Sequence, residues 1–359
     1  MRILFTTRAG FGNFRPLLPF ADASVAAGHE VAVAAPHSLA AEVTDAGHRF
    51  LPFAGIAPAK LATLRSTVDR SDDAFAAHLF TRLGAAAALP GVRAAIDGFR
   101  PSLIVRDPLD LASLVGADAA GIPQIPIFSG LQGFTRRILE ASAEPLGLRP
   151  GSICTPSMSL LPPGFDPAAE PPAVHRFRNG TAPARVGVAT PLVYLSYGMV
   201  STADVGGIAT LRSDSDALSE LPVNLVVSTG RLEHDPWRER GHNVHIRPWV
   251  DEDQVLARAD AVVCHGGTGT TLAALRAGVP LVVVPRSGDQ RAIGDAVVAA
   301  GAGIRLSGIG EPRSDHLREA VGRILADRSY GRRAAALARE IGMLPPVLTA
   351  VRLFEQLAR

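Results

Sequence analysis

Cys264, His265, Gly266, Gly267, Thr268, Gly269, Thr270 and Thr271 follow one another directly behind the apolar run Ala261-Val262-Val263. A histidine and several hydroxyls beside three glycines are groups that can hold an anion. The imidazole and the hydroxyls donate hydrogen bonds, and glycine leaves the backbone bare and permits positive φ. Thr270 to Arg276 reads as a helix stopped by Gly278, and Leu281-Val282-Val283-Val284-Pro285 as a second buried strand. A strand–turn–helix–strand unit of this kind leaves the N–H groups of Thr268 to Thr271 without partners at the helix start. Such a start carries about half a positive charge and favours an anion. A diphosphate fits, with His265 as an added donor and Thr268 or Thr270 supplying a hydroxyl. The same residues also suit a plain tight turn with a hydroxyl N-cap and a half-buried His. The pattern is not G-x-G-x-x-G and has no P-loop Lys, so the turn by itself leaves both readings open.

The residues that follow narrow the choice. Pro285-Arg286-Ser287-Gly288-Asp289-Gln290 closes the unit. The His-Gly-Gly turn, Gly278-Val279-Pro280, the strand ending in Pro285 and the Asp289-Gln290 pair together resemble the nucleotide-sugar half of a GT-B glycosyltransferase. The likeness is to the UDP-glucuronosyltransferase-like natural-product family that decorates macrolides and aromatic antibiotics with deoxysugars. It implies that His265, Gly266, Gly267 and Thr268 hold the diphosphate and that Asp289 and Gln290 hold sugar hydroxyls. Gly198, in Ser196-Tyr197-Gly198, would let the diphosphate approach the backbone, although strand termination explains it equally well. Trp249 resembles the aromatic residue that stacks on the nucleobase, with the Val250 backbone at the base edge; a core Trp is the alternative. Family members that use UDP-sugars often carry Glu where this chain has Ala273. A donor with 2′-deoxyribose loses least from that absence, so a dTDP-deoxysugar is expected as co-substrate, with UDP-sugar as the other option and with no resident cofactor or metal.

The same resemblance implies a Gly-His-x-x-Pro segment early in the chain, its His being the base and a later Asp orienting it. Here the segment is Gly12-Asn13-Phe14-Arg15-Pro16, and Asp107 stands at the orienting position. An amide cannot serve as a general base, so Asp107 is the remaining candidate, with His78 and Asp110 behind it. Plain structural roles compete: Asp107 as an N-cap for a helix from Leu111 to Ala120, and Asn13 as an N-cap of its own. Three outcomes stay open. Asp107 acts on an acidic acceptor such as a phenol, another residue is the base, or the chain binds nucleotide sugar without catalysis as an auxiliary to an active homologue. A nucleotide-sugar 2-epimerase-like activity is a further alternative.

Elements that would position these groups can be read along the chain. Strands are expected at residues 2–7, 31–35, 49–53, 103–105 and 124–128, then again at 192–196, 225–228, 244–246 and 303–306. Helices are expected at 14–28, 37–46, through most of 57–100, at 111–120 and at 253–258. The fold expected is α/β, two Rossmann-like doubly wound domains facing across a cleft, the GT-B arrangement. Residues 1–160 form the acceptor-binding domain, 161–187 the linker and 188–345 the nucleotide-sugar-binding domain. A final helix within 346–359 packs back on the first domain. The linker is placed where Pro and Gly crowd and periodicity fades, with one edge strand near His175 to Phe177.

The 359 residues carry a formal net charge of +2, and 47% are hydrophobic. That composition is globular, and the charge argues against a nucleic-acid partner. Two cysteines, Cys154 and Cys264, cannot make a disulfide framework. No uninterrupted apolar run approaches the ~20 residues of a membrane span. The expectation is a cytoplasmic enzyme that moves a sugar, with inversion and without metal, from a nucleotide-sugar donor to an apolar small-molecule aglycone. A homodimer is one state the sequence permits.

Overall fold

The structure is a computed structural model that describes residues 1–67, 75, 78–148, 156–167, 174–198, 207–230, 243–286, 288–307 and 314–359. The chain divides into two compact units. One contains Met1–Leu161 and Leu344–Arg359 together with the strand near His175, and the other contains Gly180–Met343 together with Pro162–Pro167.

The first unit is a seven-stranded sheet. Its strands are β1 (Arg2–Thr6), β2 (Glu30–Pro36), β3 (Arg49–Phe53), β4 (Leu103–Arg106), β5 (Gln124–Phe128), β6 (Ser157–Ser159) and β7 (Val174–Arg176). They lie in the order β3-β2-β1-β4-β5-β6-β7, and every pair is parallel. Sheets of this kind are covered on both faces, so their strands read as continuous apolar runs. Leu4, Ala32, Ala34 and Ile104 pack one face against Val92, Ile96 and Phe99 of the Ala86–Phe99 helix. Elsewhere in this unit Phe5 meets Phe354 edge-on at 6.3 Å, and Phe354 also meets Phe20 at 6.4 Å. The C-terminal helix Val351–Leu357 is thereby packed on the N-terminal sheet.

The second unit holds β8 (Leu192–Ser196), β9 (Asn224–Ser228), β10 (Val244–Arg247), β11 (Ala261–Cys264), β12 (Leu281–Val283) and β13 (Gly303–Arg305). Their order is β10-β9-β8-β11-β12-β13, again parallel throughout. Val193, Leu195, Leu225, Val263 and Val282 form its core with Leu317, Val321 and Ile324 of the Ser314–Ala326 helix.

Each sheet grows outward from its first strand and then crosses to the other side. That reversal opens a crevice at the strands' C-terminal ends, between β1 and β4 in one unit and between β8 and β11 in the other, where doubly wound sheets take ligands. Arg8 and Asp107 follow the first pair; Gly198 and His265 follow the second.

Three elements differ from the sequence expectation. The helix expected over 14–28 is broken into Phe11–Phe14 and Leu18–Ala26, because Pro16 offers no N–H to continue the ladder. The Pro- and Gly-rich stretch from Gly147 to Pro183 contributes β6 as well as β7 to the first sheet. Three residues reading Ser-Met-Ser are too few to show an alternation, and pairing with β5 is what makes them a strand. Its Cys154 and Glu170-Pro171-Pro172 lie outside the described residues. Finally, Leu79–Phe99 is long and apolar enough to cross a membrane, the one such helix among the described residues. Its first turns, Leu79–Ala85, are π-helical. Ala88, Val92, Ile96 and Phe99 bury one face in the core, which is the behaviour of an amphipathic core helix.

Candidate functional site

The second unit assembles its site at the ends of β8 and β11. The helix after the turn is Thr268–Arg276, two residues longer at its start than expected, with Gly267 as its N-cap. The N–H of Thr271 already donates to the Gly267 carbonyl at 3.0 Å. The open N–H groups are therefore those of Thr268, Gly269 and Thr270, and Thr271 drops out of the expected set. No side chain caps this helix, so a threonine N-cap, the bland explanation of the turn, is not what these residues form.

His265 is seated by the absence of two side chains. A Cβ at Gly198 would stand 2.9 Å from its Cε1, and one at Gly267 would stand 2.3 Å from its Nε2. Gly198 and Gly266 have φ of 67° and 86°, where a side chain is strained. The Nδ1 atom is buried and has no hydrogen-bond partner among the described residues. Burial pushes the His265 pKa down to about 4. The charge of Asp289 opposes that, Arg286 adds to it, and the Ser196 main chain opposes it. The imidazole is neutral at pH 7.

That shift makes stability depend on pH. The folded-state pKa of about 4 lies below the ordinary 6.5, so the unfolded chain binds the proton more readily. The contribution of His265 is fully present above pH 6.5, is lost as pH falls toward 4, and changes no further below that. Between pH 7 and pH 5 the loss from this group is on the order of 2 kcal/mol. Urea unfolding of the native chain and of His265→Gln at both pH values measures it. The native chain should lose that much more than the variant; an identical pH dependence would show that His265 does not titrate this way.

The other expected residues of this unit differ in their placement. Trp249, two residues beyond β10, is 60% exposed and is not a core residue. Val250 beside it is half-buried. Asp289 lies exposed in the first turn of the Gly288–Ala299 helix. Gln290 abuts the His turn: a Cβ on Gly266 would meet its carbonyl oxygen at 2.9 Å. The Gln290 Oε1 accepts the Arg286 N–H at 2.7 Å, so its amide NH₂ is the part that can donate elsewhere.

Two residues here escape a reading of the sequence. Glu252 accepts a hydrogen bond from Thr270 Oγ1 at 3.3 Å, bringing a carboxylate to the helix start from another element. In sequence it is one of three acids in Asp251-Glu252-Asp253, the pattern of a solvated helix N-terminus. Asp251 does cap that helix, Glu252–Leu256, by accepting from Asp253 and Gln254. The second residue is Arg286, half-buried, with Nη1 buried and without a hydrogen-bond partner among the described residues.

In the first unit, Asp107 follows β4 and is 4% exposed. Its Oδ1 accepts twice, from Arg8 Nε at 3.0 Å and from the Leu109 N–H at 2.8 Å. The Arg8 guanidinium lies 4.8 Å from the centre of the Phe80 ring, and His78 stands half-buried just before the π-helical turn that carries Phe80. The N-cap of Leu111–Ala120 is Asp110, not Asp107: it accepts from the Ser113 N–H at 3.2 Å and from Ser113 Oγ at 2.7 Å. Asp110 is committed to that cap, and burial raises its pKa against the Ser113 bonds. Buried Arg106 spans the corner, donating to Gln124 Oε1 at 2.6 Å and to the Pro108 carbonyl at 2.8 Å. Burial brings its pKa down to about 10, opposed by Asp110 and Asp107. Asn13 sits inside the Phe11–Phe14 helix, whose N-cap is Gly10, and donates its amide to the Ala9 carbonyl at 2.6 Å. It is not an N-cap.

Residues 215–353 match the family described as erythromycin biosynthesis protein CIII-like, C-terminal domain. The L-demethylnoviosyl transferase of Streptomyces niveus is 29% identical over 336 residues, covering 85% of this chain and 85% of its own. The glycosyltransferase SnogD from Streptomyces nogalater is 26% identical, with a TM-score of 0.78 over 100% of this chain and 99% of its own. VinC, a glycosyltransferase solved in complex with dTDP, is 22% identical with a TM-score of 0.76 over 100% and 99%. Two doubly wound parallel sheets of this order and these full-length likenesses define the class, a glycosyltransferase of the GT-B fold. The chain is a sugar-transferring enzyme similar to those of antibiotic biosynthesis, and residues 215–353 match the CIII-like C-terminal domain.

Proposed function

We propose that this enzyme transfers a deoxysugar from a dTDP-sugar to a phenolic or otherwise acidic hydroxyl of an apolar natural-product aglycone, in the cytoplasm. The observation that carries the donor half is His265: a neutral imidazole with a buried, unpartnered Nδ1, set beside a helix start with three open N–H groups. An anion there meets donors and no opposing charge on the ring. Direct displacement is the reaction we assign. The acceptor oxygen bonds to the anomeric carbon as the bond from that carbon to the β-phosphate oxygen breaks, so configuration inverts. The acceptor's proton passes to Asp107, whose Oδ1 is already engaged, leaving Oδ2 to receive it. A carboxylate is a weak base toward an alkyl alcohol and better matched to a phenol. Negative charge developing on the diphosphate is met by preorganised protein dipoles and donors rather than by a metal ion. Asp289 and the Gln290 amide NH₂ are read as the groups on the sugar, and exposed Trp249 as the ring on the base.

The choice of dTDP rests on Ala273, which offers no acceptor to a ribose 2′-hydroxyl. VinC, which binds dTDP, shares the fold. We read Glu252 as serving the 3′-hydroxyl, which both nucleotides carry. Calorimetric titration of dTDP and UDP tests the choice: dTDP should bind more tightly, and equal or tighter UDP binding would overturn it.

A further inference from the structure

We infer that Arg286 is the cationic partner of the β-phosphate, the group that departs with the nucleotide when the sugar is transferred; this rests on the donor reading above. Arg286 leaves the C-terminal end of β12, next to β11 in the sheet. In doubly wound sheets that edge is where ligands bind. A guanidinium keeps its charge at every physiological pH and matches phosphate oxygens with a fork of donors. Burying one of its N–H-bearing nitrogens without an acceptor carries an unrecovered desolvation cost, and Nη1 is so placed. The main chain is not free to drift and relieve it, because the Arg286 N–H is tied to Gln290 Oε1 at 2.7 Å. Gln290 in turn is packed against Gly266 of the His turn. Arg286 and His265 are near enough for the guanidinium charge to act on the imidazole. The ring is neutral and the helix start supplies about half a charge, whereas Arg286 would bring a full positive charge to the phosphate. A sugar hydroxyl would need no cation; a phosphate that gains charge as its bond to carbon breaks does.

The test is binding rather than turnover. dTDP and dTMP are titrated into the native chain, Arg286→Gln and Arg286→Lys, with thermal melting to confirm folding. The two nucleotides differ by the β-phosphate. Arg286→Gln should weaken dTDP by about 10- to 100-fold, the scale of a lost charge-assisted hydrogen bond. It should change dTMP by less than about threefold, and Arg286→Lys should recover part of the dTDP affinity. An unchanged dTDP affinity, or an equal loss for both nucleotides, would overturn the assignment. If the glutamine variant does not fold, the lysine variant decides: a smaller dTDP-to-dTMP ratio supports the assignment and an unchanged ratio overturns it. A native chain that binds dTDP no better than thymidine would show instead that the donor reading is wrong, and the inference would fall with it.

Discussion

Asp107→Asn is expected to lower sugar transfer by about 10²–10⁴-fold, the usual worth of a general base, while dTDP affinity stays unchanged. The amide keeps the shape of the carboxylate, and its Oδ1 can still accept the Leu109 N–H that now meets Asp107 at 2.8 Å. What disappears is the proton-accepting oxygen and the charge that faces Arg8 at 3.0 Å. Single-turnover transfer to a phenolic acceptor, measured beside dTDP calorimetry, separates the two effects. Full activity in the variant would move the base elsewhere. A parallel fall in dTDP affinity would mean that the substitution acts through folding. Asn13→His is the companion change: it should leave transfer unchanged or raise it, since the present amide spends its donor on the Ala9 carbonyl.

The second large effect is expected at Gly267. Alanine there should weaken dTDP binding by about 100-fold, whereas alanine at Gly269 should leave it within about twofold. The added methyl at Gly267 would lie 2.3 Å from His265 Nε2 and 2.5 Å from Cε1. The ring also lies close to Gly198, where an added Cβ would stand 2.9 Å from its Cε1. Losing the imidazole donor and displacing the helix start together reach about 3 kcal/mol by the ordinary cost of charge-assisted hydrogen bonds. At Gly269 an added Cβ meets nothing within 4 Å, and alanine favours a helix over glycine by about 1 kcal/mol. Both variants assayed by dTDP titration form a matched pair. Equal affinities would show that the seat of His265 does not matter to the nucleotide.

The contrast between these two glycines shows what the sequence could convey. Strands buried on both faces announce themselves as apolar runs, so β1, β2, β4, β5, β8, β9, β11 and β12 were legible, and with them the doubly wound plan. The His-Gly-Gly turn was legible as a strand-to-helix turn, and its reading as an anion site came from the Gly278-Val279-Pro280 and Asp289-Gln290 that follow it. The separate duties of the turn's glycines were not legible. Gly266 answers to a φ of 86° and Gly267 to the imidazole beside it, and Gly269 to neither. Asp107 and Asp110 show the same limit. In the sequence Asp107 is the candidate cap, and the Ser113 bonds give that role to Asp110, the residue directly before Leu111. Trp249 could be placed in or out of a core only by its exposure. Glu252 reaches the turn from the helix after β10 through its bond from Thr270, and Arg286 follows β12, which pairs with β11; such long-range convergence leaves no local pattern. β6 was lost for a different reason: its single apolar residue, Met158, gives no period to detect.

The central claim is that the start of the Thr268–Arg276 helix receives the diphosphate. Amide chemical shifts of ¹⁵N-labelled protein during a dTDP titration test it most directly. The N–H groups of Thr268, Gly269 and Thr270 have no acceptor within the helix, while that of Thr271 is already bonded to Gly267 at 3.0 Å. The largest downfield shifts should therefore appear at Thr268, Gly269 and Thr270, with a smaller one at Thr271, and should be absent with thymidine. Saturable dTDP binding that leaves those three amides unmoved would contradict the account.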